Sequence, residues 1–186
     1  ILIGLTISFK VNAQIATTGT SNSGRNASAI GFNTTASNTV STAMGRETLA
    51  SGVSSTAMGY QTKATNTAAT AMGDNSTASG VTSTAMGDNS TASGETSIAM
   101  GFETEATYSA SIAMGYQTSS TEGASTAMGF QTTASGFGST SIGYQTTASG
   151  NSSTAMGWLT AANGKASTAI GKSTIASDFG SLVIGQ

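Results

Sequence analysis

Asp74-Asn75 and Asp88-Asn89 stand one fourteen-residue interval apart, and side-chain oxygens that recur at a fixed interval can hold a divalent cation. Calcium takes about six to eight oxygens, so two carboxylates with little else nearby are more often simply solvated. A second set recurs at the same interval: Phe102, Tyr116, Phe130, Tyr144 and Trp158. Aromatic rings provide large contact area at little entropic cost, which suits a sugar or protein ligand. The same rings also suit packing at a seam between subunits. Other chemistry is excluded by composition. The chain has no His, no Cys and no Pro, which removes the commonest general base, the thiol nucleophile, disulfides and nearly all zinc sites. No catalytic residue, no cofactor site and no metal site is expected, and the chain is not expected to be an enzyme. A formal charge of -2 provides no basic stripe to neutralise phosphates, so no nucleic-acid partner is expected.

The interval that relates these residues runs through most of the chain. A Met-Gly or Ile-Gly pair recurs every fourteen residues, anchored at Ile30, Met44, Met58, Met72, Met86, Met100, Met114, Met128, Ile142, Met156, Ile170 and Ile184. A fixed short period of this kind means a solenoid in which each repeat is one coil. Abundant Gly, Ser, Thr and Ala would suggest disorder in an aperiodic chain, but disorder does not require register.

With each anchor numbered 0, position +1 is always Gly. Position +8 is Gly at 52, 80, 94, 136, 150 and 164, with Asn38, Asn66 and Asp178 as substitutes and Tyr108 and Glu122 as exceptions. Gly, Asn and Asp tolerate positive φ, so +8 is expected to be a left-handed turn. Two markers seven residues apart divide the coil into two extended halves. Fourteen residues are too few for a three-sided coil of ordinary strands, and a flattened two-strand parallel β-roll fits best. Twelve coils at about 4.8 Å per step give a rod about 50 Å long.

Alternation then assigns faces. Positions +4 and +6, Thr or Ser and Ala, are small enough for the inside of a thin roll. By internal symmetry Ser at -3 and Ala at -1 also point inward. The anchors at 0, with Thr, Ile98, Ile112 or Leu182 at -2, then face outward. Twelve Met and Ile side chains in a row exceed what soluble monomers usually expose, and identical neighbours around a symmetry axis would cover them. The alternative places Met and Ile inside as the roll's own core.

Residues 1–13 differ from the rest. Ile1 to Phe9 is mostly apolar, Lys10 follows, and Val11-Asn12-Ala13 sets small residues at the spacing of a signal-peptidase site. This stretch reads as a partial signal peptide, with a buried first strand as the alternative. Residues 14–26 form a lead-in and 27–186 the repeat region, which reads as cut from something longer.

The units Ala27-Ser28-Ala29-Ile30-Gly31, Ser111-Ile112-Ala113-Met114-Gly115 and the run from Ser139 to Gly150 resemble the head repeats of trimeric autotransporter adhesins, the YadA-like head. The resemblance covers residues 27–186 and implies a left-handed parallel β-roll with three chains around an axis. It also implies a secreted or bacterial outer-membrane location and a role in attachment to host, matrix or other surfaces. The implied partners are two further copies of the chain and an extracellular protein or glycan, with membrane contact only through a C-terminal anchor. The chain departs from the family's pattern with Met at eight of twelve anchors. Two other functions remain open. Outward Thr-x-Ser pairs at Thr77/Ser79, Thr91/Ser93, Thr133/Ser135 and Thr147/Ser149 suggest an ice-binding face, interrupted by Leu49, Lys63, Glu105, Ala161 and Ile175. A ligand-free fibre or spacer is the other.

Overall fold

A computed structural model describes residues 18–185 of the chain; the signal-peptide stretch 1–13 and the first part of the lead-in lie outside them. Each coil contributes one long and one short strand. The long strands cover positions -2 to +2 and run from Ser28–Phe32 to Thr168–Lys172, with Leu182–Ile184 last. The short ones cover +5 and +6, from Ser21–Asn22 to Ile175–Ala176. Each strand pairs in parallel with its equivalents one period before and after, as in Met86 with Met100 and Thr77 with Thr91. The result is two 12-stranded sheets, one of long and one of short strands. The chain is therefore an all-β parallel solenoid, with no helix among the described residues.

The interior is as thin as the sequence requires. Between the first and last described coils, positions -1 and +6 (mostly Ala), -3 (mostly Ser) and +4 (Thr or Ser) are buried, and the largest fully buried side chains are threonines such as Thr62, Thr104 and Thr132. Ala side chains remove little apolar area from water, so burial inside the roll is a small driving force. Backbone hydrogen bonds between coils are the larger organising term. They continue through the segments between strands: Thr91 N–H donates to the Thr104 carbonyl at 2.8 Å, and Ser93 N–H to the Ala106 carbonyl at 2.9 Å. Ser at -3 adds a bond that Ala would lack. Ser55, Ser83 and Ser97 donate Oγ–H to the carbonyl of the +8 glycine three residues earlier at 2.7–2.8 Å, which fastens the second corner from inside.

The corners correct the expectation for +8. The glycines at +8 do not have positive φ; beside the +1 glycines, the left-handed turn falls at +3 and +10, as in Gln61 (φ 52), Gln117 (φ 51), Val40 (φ 58) and Ala68 (φ 53). The seven-residue spacing of the corners holds, but their phase is two residues later. Left-handed backbone at a non-Gly residue costs about 1–3 kcal/mol, so sequence propensity pointed elsewhere. Coil stacking overrides it. The +3 N–H donates to the +2 carbonyl of the preceding coil, Gln61 to Arg46 at 2.9 Å, and the +10 N–H donates to the preceding +9 carbonyl, Ala68 to Val53 at 2.8 Å.

Glycine at +8 answers instead to the closeness of the next coil. A Cβ on Gly94 would stand 2.0 Å from the Tyr108 carbonyl oxygen. Asn38 and Asn66 stand at the same position in coils followed by Gly52 and Gly80, and their Nδ2 atoms donate to the Ser51 and Ser79 carbonyls at 3.1 Å. At +1 both constraints coincide: Gly101 has φ 134, and a Cβ there would lie 1.9 Å from the Gly115 oxygen. Gly101→Ala should therefore lower stability by about 1–3 kcal/mol, read as a fall in melting temperature. Thr132→Val should hold or raise it, because the buried Thr132 hydroxyl has no hydrogen-bond partner, a situation that costs about 1–3 kcal/mol. A Thr132→Val variant that melts as low as Gly101→Ala would contradict this account of the interior.

Candidate functional site

Position -1 of each long strand and -3 just before it fill the interior, so pleating turns -2, 0 and +2 together onto the outer face. The anchors Met44, Met58, Met72, Met86, Met100, Met114 and Met128 are half-buried there, as are Ile30 and Ile142, while Met156 and Ile170 are each 37% exposed and Ile184 is 70% exposed. The interior alternative is not the arrangement found, because residues no larger than Thr already fill the roll. Flanking the anchors are Thr at -2 in most coils, Ile98, Ile112 and Leu182, and the mixed column at +2. The anchor column of this face is thus apolar along its length and uncovered within the subunit, between a -2 column that is mostly Thr and a +2 column that includes Arg46, Asp74, Asp88 and Lys172.

Register turns the +2 aromatics into a stack. Phe102 and Tyr116 have ring centroids 4.9 Å apart at 9°, Tyr116 and Phe130 4.9 Å at 4°, Phe130 and Tyr144 5.0 Å at 3°, and Tyr144 and Trp158 3.9 Å at 9°. The ring faces lie against one another, so the strip presents ring edges and the Tyr116 and Tyr144 hydroxyls. Only Phe102 and Trp158, at its ends, keep a face free of another ring in the stack. Nearer the N-terminus, beyond Asp74 and Asp88, the Arg46 guanidinium lies 5.8 Å from the Phe32 ring and 5.3 Å from the Tyr60 ring, a separate cation–π cluster in the same column.

A second ladder runs beside the first at position +3. Gln117 donates Nε2–H to the Glu103 carboxylate at 2.7 Å, Gln131 to the Gln117 oxygen at 2.8 Å, and Gln145 to the Gln131 oxygen at 2.8 Å. The signal was present as Gln recurring at 117, 131 and 145; its meaning required in-register stacking at a corner. The same geometry joins Gln61 to Glu47 at 2.8 Å. That bond, ahead of Arg46 at 3.2 Å, holds the Glu47 carboxyl below its ordinary range against the opposing effect of desolvation.

The Asp74-Asn75 and Asp88-Asn89 pairs do stack in adjacent coils. Their oxygens are partly engaged within the group: Asn75 donates to the Asn89 oxygen at 2.5 Å and Asn89 to the Asp88 carboxylate at 2.9 Å. Among the described residues no group of three or more His, Cys, Asp or Glu could hold a metal ion.

Twelve in-register coils with side-chain ladders and one long apolar column define a structural β-solenoid rod. The chain belongs to the YadA head domain repeat family. The family's model, which spans two copies of the repeat, matches residues 23–48, 50–76, 78–104, 109–132, 134–160 and 162–186. Each match takes two coils, so the family's unit and the solenoid's period coincide. No curated protein matches the chain.

The single tryptophan reports on the aromatic strip. Removing its stacking partner with Tyr144→Ala should red-shift Trp158 emission and increase its quenching by iodide. The stability cost beyond lost area should be about 0.5–1.5 kcal/mol. Unchanged Trp158 emission and quenching would mean that the two rings do not stack in solution.

Proposed function

We propose that the chain is a head segment of a trimeric autotransporter adhesin, displayed on a bacterial surface, in which three rods pack around an axis and hold attachment surfaces away from the cell. The observation that carries this reading is the anchor column. A member of the YadA head family places twelve Met and Ile side chains in register on an outward face that its own interior has no room to take. Full burial of such a side chain from water stabilises by about 1.5–3 kcal/mol before entropy is subtracted, and because most anchors start half-buried, covering each contributes part of that. Identical columns on two further copies provide a cover of matching length and period. The interface in this reading comprises Ile30, Met44, Met58, Met72, Met86, Met100, Met114, Met128, Ile142, Met156, Ile170 and Ile184.

The sheet of short strands then faces outward with its row of Thr, Ser and scattered charged residues. Phe102, Tyr116, Phe130, Tyr144 and Trp158 run along the side of the rod, where they either seal the seam between subunits or meet an extracellular protein or glycan through ring edges and hydroxyls. The role of the rod is structural and adhesive, without catalysis. Export and outer-membrane anchoring belong to the same proposal.

Sedimentation of the purified chain should give the mass of three subunits. Changing Met86, Met100 and Met114 together to Asp would bury charges where the copies meet, at a cost of several kcal/mol per ion (~3–5). That variant should lose the trimer and unfold at a lower temperature. A wild-type chain that sediments as a folded monomer at micromolar concentration would refute the trimeric reading. Attachment is tested by adding the trimer to immobilised matrix proteins and glycans; no retention on any of them would leave a rod without an adhesive role.

A further inference from the structure

The choice of methionine at the anchor position is not dictated by the backbone. Ile142 pairs in register with Met128 on one side and Met156 on the other, and Ile170 pairs with Met156, so a β-branched residue fits the same strand geometry. β-branched residues are also the better strand formers. Yet seven consecutive coils, from Met44 to Met128, carry methionine. All seven thioethers lie on the outward face and are half-buried in the single subunit. What methionine adds over isoleucine is an adaptable, unbranched side chain and a sulfur that can be oxidised.

We propose that the methionine column is an oxidative modification site that decides whether subunits associate; the proposal rests on the reading of this face as the trimer interface. The reaction is a two-electron oxygen transfer from a peroxide. The thioether sulfur of each methionine attacks the peroxide, the O–O bond breaks, one oxygen remains on sulfur as the sulfoxide, and the other leaves as water or an alcohol. Sulfur is oxidised and the peroxide is reduced. The product converts an apolar side chain into one with a strong acceptor and no donor.

The neighbours determine where this matters most. Met100 lies between Ile98 and Phe102 on its own strand, and Met114 between Ile112 and Tyr116. Ile98 and Ile112 stack on each other, as do the rings of Phe102 and Tyr116. Sulfoxides at 100 and 114 would therefore meet an apolar surface when copies close on it, and a buried acceptor without a donor opposes association. At Met44, Met58, Met72 and Met86 a Thr hydroxyl stands at -2 and offers partial compensation. Assembly and oxidation thus exclude one another: an unassembled subunit presents the thioethers to peroxide, and an assembled one covers them.

The test uses hydrogen peroxide on the full chain, with intact mass and sedimentation as readouts. Chain oxidised while unfolded in denaturant and then refolded should gain up to eight oxygens, one for each methionine in the sequence. Its trimer fraction should fall at least tenfold. The same dose given to assembled trimer should add fewer oxygens and leave the mass unchanged. Methionine sulfoxide reductases acting on the oxidised chain should restore association, a readout that needs no variant to fold. A variant with all eight methionines changed to Ile should trimerise with or without peroxide. Equal trimer fractions for oxidised and untreated chain would overturn the proposal while leaving the trimer standing. An untreated chain that is monomeric would overturn the trimer reading, and the proposal with it.

Discussion

Everything in this molecule depends on the peptide backbones of successive coils lying directly on one another in the same register. The +1 glycines show how tight the constraint is, since a Cβ on Gly59 would stand 2.0 Å from the Gly73 oxygen. Hydrogen bonds link each coil to the next at strands and corners alike, so no coil is stable by itself and each one templates its neighbour. Once that stacking is set, one position in the repeat becomes one column in the rod. A preference that would be negligible in a single residue is then multiplied along the length.

This multiplication explains why the interior and the exterior exchange their usual characters. A coil of two strands leaves space only for Ala, Ser and Thr inside, and several of the buried Thr hydroxyls, including Thr34, Thr48, Thr62 and Thr118, have no partner. The large apolar side chains are therefore displaced to the outside of the long-strand sheet. In a globular domain an outward methionine is unremarked. Here repetition makes a continuous apolar column, and the single subunit leaves it uncovered. In our proposal association covers that column, and family membership supplies the form that it takes.

The ladders beside that face follow from the same register. Five aromatic rings stack because their backbones do, and glutamines at +3 pass an amide hydrogen bond from coil to coil. Those bonds sit on residues held at positive φ, where side-chain partners help to hold a backbone conformation that Gln would not choose alone. Trp158 ends the aromatic stack, and Leu159 at the next residue ends the amide ladder. The two devices therefore stop together near one end of the rod.

The period, the solenoid, the small interior and the outward anchors were legible from the chain alone, because each follows from counting: fourteen residues, two seven-residue halves and side chains that alternate. The match to YadA head repeats was legible in units such as Ser111 to Gly115. The corners were not. Glycine at +8 looked like the left-handed turn, whereas Val40, Ala68 and the glutamines carry that conformation and Gly94 is there to let Tyr108's coil approach. Local propensity ranks what a residue tolerates in isolation; tertiary stacking decides which conformation is compelled and which Cβ has room. Likewise, sequence placed Phe102 to Trp158 one above another, but only the folded coils determined that the rings lie face to face. Ring orientation depends on how closely neighbouring backbones approach, and no single repeat contains that distance.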